Sequence, residues 1–134
     1  MAFDFGLKRT GIAVTDPMQI ISTGLKTVET KKLLAFIDQY LKTEEVEAFV
    51  FGLSLQLDGS ENSVQAKTKK FAENLNKKYP QINIFWEDER YTSKEAMQTL
   101  ILSGVPKMKR RNKALLDEVS ATLILQTFME TYKK

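Results

Sequence analysis

Asp4, Asp88, Glu89 and Asp117 are the side chains whose type and spacing could do chemistry in this sequence. The chain has no histidine and no cysteine. Disulfides, Cys/His zinc sites, thiol nucleophiles, Ser-His-Asp triads and imidazole acid–base steps are therefore excluded. What remains is carboxylate, Lys, Arg, Tyr and hydroxyl chemistry, or a hard metal ion held by oxygen. Asp4 lies near the carboxyl end of an expected first strand, and Asp88 and Glu89 lie just past the end of the last one. In open α/β sheets, sites form outside the carboxyl ends of parallel strands. Asp117 falls at helical spacing with Ala114, Ser120, Ala121, Ile124 and Phe128, whereas its neighbour Glu118 falls on another face. A carboxylate on a face of small and apolar residues is costly unless it is paired or binds a metal. Asp4, Asp88 or Glu89, and Asp117 would together give Mg²⁺ oxygen ligands from three separated segments. Two such ions about 4 Å apart can activate a water and stabilise the departing oxygen of a phosphodiester. The plainer alternative is that Asp4 caps a turn, Glu87 to Glu89 are solvated, and Asp117 answers a lysine or the helix dipole.

Basic residues stand beside these acids. Lys8 and Arg9 belong to the tight turn after Asp4, and Arg90 follows the acidic run. Lys107, Lys109, Arg110, Arg111 and Lys113 form a dense cluster next to the helix carrying Asp117. Such groups neutralise phosphates and make binding salt-dependent, although solvated charged loops share the pattern. Asp4-Phe5-Gly6 imitates a kinase metal-binding tripeptide, but no Gly-rich phosphate loop precedes it. No GxxxxGK[ST] sequence occurs either.

The elements that must position these groups follow from hydrophobic spacing. Strands are expected over residues 1–5, 10–15 and 20–28, with Gly6 and Gly11 carrying the first turn. A helix over 31–43 places Leu33, Leu34, Ile37, Tyr40 and Leu41 on one side. Ala48–Leu53 is a continuous apolar run, the pattern of a strand covered on both faces. A helix over 62–79, a strand over 82–86 and helices over 94–102 and Lys113–Tyr132 complete the chain. Helical crossovers make the later strands parallel, so a mixed sheet flanked by helices is expected. At 134 residues this is one domain, 1–134, able to bury roughly two-thirds of its extended surface. Twenty Lys+Arg against 17 Asp+Glu give +3, a mild basic bias rather than a polycation. No segment approaches the roughly 18 apolar residues of a membrane span. The first residues lack the basic start and apolar stretch of a secretory signal, so the expected location is cytoplasmic, with no membrane partner.

Four blocks resemble a known family: DFGLKRTGIAV (4–14), FGLSLQLDGSENSVQ (51–65), DERYTSKEA (88–96) and LLDEVSATLIL (115–125). Their order and spacing are similar to those of the YqgF/RuvX proteins, described as Holliday-junction-resolvase-like and as pre-16S ribosomal RNA nucleases. The likeness covers essentially the whole chain. It implies an RNase H-like fold, a five-stranded mixed sheet with the first three strands antiparallel and helices on both faces. It further implies a metal-dependent endonuclease that processes the 5′ end of the 16S rRNA precursor. Asp4 matches the family's first-strand acid, Asp88 and Glu89 lie in its DER block, and Asp117 matches the acid of its last helix. Lys8 and Arg9 match its first basic pair. Ser54 departs from the proline usual after Gly-Leu, and the fourth strand brings no carboxylate. The third acid must then be Asp88 or Glu89, which strand alternation puts on opposite faces; Glu89 is the one expected to point into the site.

The expectation is thus a phosphodiesterase using Mg²⁺ or Mn²⁺, as two ions, on structured RNA. Asp4, Glu89 and Asp117 would hold metal. Lys8, Arg9, Arg90, Lys107, Lys109, Arg110 and Arg111 would hold the nucleic acid backbone. Branched DNA is the alternative substrate, and ribosomal precursor particles and a homodimer are the partners the resemblance suggests. A non-catalytic RNA-binding assembly factor is the rival of a different class.

Overall fold

A computed structural model describes residues 1–15, 22–53, 63–88 and 113–132. The strands are β1 (Ala2–Phe5), β2 (Arg9–Thr15), β3 (Ser22–Glu29), β4 (Ala48–Leu53) and β5 (Asn83–Asp88). A 3-10 turn, Thr30–Lys32, leads into α1 (Leu33–Tyr40); α2 (Ser63–Lys78) and α3 (Lys113–Tyr132) follow. The helix expected over 94–102 lies outside the described residues. Five strands form one sheet in the order β3-β2-β1-β4-β5. β1, β2 and β3 pair antiparallel, while β4 pairs parallel with both β1 and β5. This is the mixed RNase H-like sheet that the sequence led us to expect. The carboxyl ends of β1, β4 and β5 consequently share one edge, where β2 begins.

Strand alternation gives the sheet two unlike faces. One face is aromatic: Phe3, Phe5, Phe49 and Phe51 pack with Ile12 against Leu33 and Ile37 of α1 and Ala72 and Leu75 of α2. The Phe3 ring lies 5.0 Å from that of Phe51 and 5.9 Å from that of Phe49, within the range of favourable aromatic pairs. The opposite face is lined by Ala2, Ala13 and Val50, which meet Ala121, Ile124 and Leu125 of α3. Bulky rings fill the space under α1 and α2, whereas small side chains let α3 lie close.

Ala121 on the helix allows this close packing, and glycines of the sheet allow it from the other side. A Cβ on Gly11 would fall 2.0 Å from the carbonyl oxygen of Asp117, and one on Gly24 would fall 3.1 Å from Thr122 Oγ1. Gly11 lies within β2 rather than in the turn before it. The first helix is shorter than its hydrophobic spacing suggested. Its entrance residue Lys32 makes no side-chain cap, so the chain starts through the 3-10 turn, and α1 ends at Tyr40. No helix among the described residues is long and apolar enough to cross a membrane.

Asp38 ties α1 to the end of α2. Its Oδ2 accepts from Lys78 Nζ at 2.6 Å, and its Oδ1 accepts from the Tyr79 hydroxyl. Those two donors, Lys78 first, hold the Asp38 carboxyl below its usual value of 3.8. Because the folded-state pKa is depressed, the group stabilises fully above 3.8, and that contribution fades as pH falls through the lowered value. Exposure keeps it small. Asp38→Asn should cost about 1 kcal/mol or less at neutral pH, and urea unfolding should show the deficit shrink as pH falls below 3.8.

Candidate active site

The turn between β1 and β2 is closed by Gly6 and fastened from below by Thr30. A Cβ on Gly6 would fall 2.5 Å from the carbonyl oxygen of Arg9, so the tight return requires glycine. The Thr30 hydroxyl donates to the Gly6 carbonyl at 2.6 Å, and its backbone N–H donates to the Lys8 carbonyl at 2.9 Å. With its own proton so committed, the Thr30 hydroxyl oxygen accepts from the buried Thr10 hydroxyl at 2.9 Å. These bonds place exposed Lys8 and half-buried Arg9 beside the carboxyl end of β1. Nothing in the sequence singled out Thr30, because a threonine after a strand is common and its partners lie about twenty residues away.

Asp4 pairs across the ladder with Gly11, and Ala2, two residues earlier, packs towards α3. Alternation therefore turns Asp4 to the α3 face, where it is partly buried. The backbone of Asp117 rests directly on Gly11. Two acids 113 positions apart, 4 and 117, are thereby placed around one glycine of the sheet. Arg9 also faces α3, two residues before Gly11, and its Nε donates to Asp117 Oδ2 at 3.2 Å. The guanidinium thus offsets part of the charge of a carboxylate that is costly to place against the sheet. Glu118 takes a separate position over Gly24 of β3.

β5 runs two residues further than its apolar pattern suggested. Glu87 pairs in register with Gly52, and Asp88 with Leu53, so neither lies beyond the strand. Glu87 follows Phe85 by two, and Phe85 packs on the α3 side against Phe128 with ring centres 5.0 Å apart. Glu87 is therefore a partly buried acid on the same face as Asp4. The plainer alternative from the sequence makes Glu87 a solvated charge; counting alternate positions onward from Phe85 places it on this face instead. Among the described residues no three acidic side chains gather closely enough to hold a metal ion. Asp4 and Asp117 are the two members of the expected three-acid oxygen set whose side chains lie among the described residues. Glu89, Arg90, Lys107, Lys109, Arg110 and Arg111 lie outside the described residues, as does the side chain of Asp88.

A cavity of about 750 Å³ opens at the other end of the sheet, lined by Val14, Val46, Phe85, Phe128 and Met129. Its rim carries Glu44, Glu45 and Glu47. Clustered negative charge there disfavours a phosphate backbone, so size alone does not mark it as the site.

Comparison with known proteins agrees with the family resemblance. The profile of the family described as "RuvX: Holliday junction resolvase" matches residues 1–131. A protein of Porphyromonas gingivalis strain W83 named "Putative pre-16S rRNA nuclease" is 47% identical over 130 residues, covering 97% of this chain and 94% of its own. A protein of the same name from Amoebophilus asiaticus is 46% identical and covers 100% of this chain and 95% of its own. Another from Christiangramia forsetii is 43% identical, covering 96% of each.

Proposed function

The chain belongs to the RuvX family of Holliday junction resolvases, and from this premise we propose that it is a cytoplasmic nuclease that trims the 5′ end of precursor 16S rRNA. The name shared by its relatives supports RNA as the substrate. The observation that carries a hydrolytic reading is the meeting of Asp4 and Asp117 around Gly11, with Lys8 and Arg9 alongside. Carboxylates without histidine or thiolate suit a hard divalent cation such as Mg²⁺ or Mn²⁺. Asp4, Asp117 and a third acid from the Asp88-Glu89 pair would hold it, and Glu87 stands close by in the register. When bound, the ion supplies charge neutralisation at the scissile phosphate and a more acidic water. The chain's own basic side chains, Lys8 foremost among the described ones, would orient the phosphate backbone against the acids.

The test compares an RNA spanning the precursor 5′ boundary with a four-way DNA junction at matched salt. Scission of the RNA should require Mg²⁺ or Mn²⁺, stop on chelation and return on adding metal back. Faster cutting of the junction would transfer the assignment to DNA. Salt-dependent RNA binding without any scission would make the protein a non-catalytic assembly factor.

A further inference from the structure

The sequence places Arg9 among the contacts for nucleic acid, yet in the structure its guanidinium pairs with Asp117. We propose that Arg9 is the resident counter-ion of Asp117, which it surrenders to the divalent cation, so that arginine and metal compete for one carboxylate. The inference rests on the metal-dependent reading above and adds a residue that sets how tightly the ion is held. The contact is a single Nε–Oδ2 approach of 3.2 Å, longer than a well-formed charge-assisted bond of roughly 2.7–2.9 Å. Both partners keep solvent access, 39% for Arg9 and 24% for Asp117. An ion pair so exposed is weakly held and can be exchanged.

Their backbones, in contrast, are fixed. Arg9 opens β2, pairs with Glu29, and follows a turn fastened by Thr30. Asp117 is pressed onto Gly11. Exchange therefore needs only a change of side-chain rotamer, with no movement of sheet or helix. The arginine offsets part of the Asp117 charge on the sheet face; with both arginine and cation on that carboxylate, the like charges would repel. Once released, the guanidinium stays beside the acids, within the region an incoming phosphate must enter.

Mn²⁺ titration of the purified chain without nucleic acid, followed by the electron paramagnetic resonance of the free ion, decides the matter. Arg9→Gln should bind Mn²⁺ about threefold more tightly or better, the scale set by losing one exposed ion pair and one positive charge. Arg9→Lys, which keeps the charge but not the Nε contact, should fall between that variant and the parent. A merely structural Arg9 predicts the reverse, since a loosened Asp117 would weaken the site. Unchanged or weaker binding by a folded Arg9→Gln overturns the proposal; should that variant not fold, the same outcome in Arg9→Lys does so. Asp4→Asn separates the two levels of the reading. If the parent binds no Mn²⁺, or Asp4→Asn binds it equally, the metal site itself falls and Arg9's part with it. If Asp4→Asn loses binding while the Arg9 variants show no tightening, only the competition is refuted.

Discussion

Asp4→Asn should remove strand scission by about 10²- to 10³-fold or more while the protein stays folded. The substitution keeps the shape of a partly buried side chain on β1 and removes only its charge. A neutral amide is a poor ligand for Mg²⁺ or Mn²⁺. Charge stabilisation by such an ion is worth several kcal/mol in the transition state, and each ~1.4 kcal/mol is a factor of ten in rate. Phe3 and Phe5, which flank Asp4, anchor β1 in the aromatic core, so the strand should stay in place without the carboxylate. Cleavage rates and thermal melts of the purified variant check both halves of this expectation. Full activity, once a contaminating nuclease has been removed, would defeat the assignment of Asp4.

The second large effect is structural in origin and reaches the site through geometry. Gly11→Ala puts a methyl group 2.0 Å from the Asp117 carbonyl oxygen and 2.3 Å from its carbonyl carbon. Backbone cannot rotate out of the way as a flexible side chain can. Either α3 lifts from the sheet or β2 bends, and overpacking of this kind costs ~3 kcal/mol or more. Gly24→Ala is the graded control, because its nearest obstacle is the Thr122 hydroxyl at 3.1 Å, and about 1 kcal/mol should cover it. Urea unfolding of the two variants measures the contrast. Gly11→Ala should also lose about 10²-fold in cleavage beyond its unfolded fraction, since it moves Asp117 away from Asp4 by an ångström or so. Equal stability of the two variants would mean that α3 does not rest on Gly11.

Much of this arrangement could be read before any coordinates. The small residues around Asp117 set it on the inward face of α3, and the run Ala48–Leu53 announced a buried parallel strand. Contacts across the sheet were not legible in the same way. Gly11 reads as a turn residue because glycine usually signals one, and only the packing of α3 reveals why a strand needs it there. Glu87 and Asp88 look like the end of β5 because they are charged; pairing with Gly52 and Leu53 carries the strand through them. Thr30 and the Arg9–Asp117 pair depend on partners 20 to 108 positions away, beyond the reach of local spacing.

Crystals of the protein soaked in Mn²⁺ and measured at the manganese absorption edge offer the most direct trial. An anomalous peak should appear within bonding distance of the Asp4 and Asp117 carboxylates, with the Arg9 guanidinium withdrawn from Oδ2. A fully loaded crystal with no peak there, or with its manganese only at the Glu44–Glu45–Glu47 rim, would contradict it.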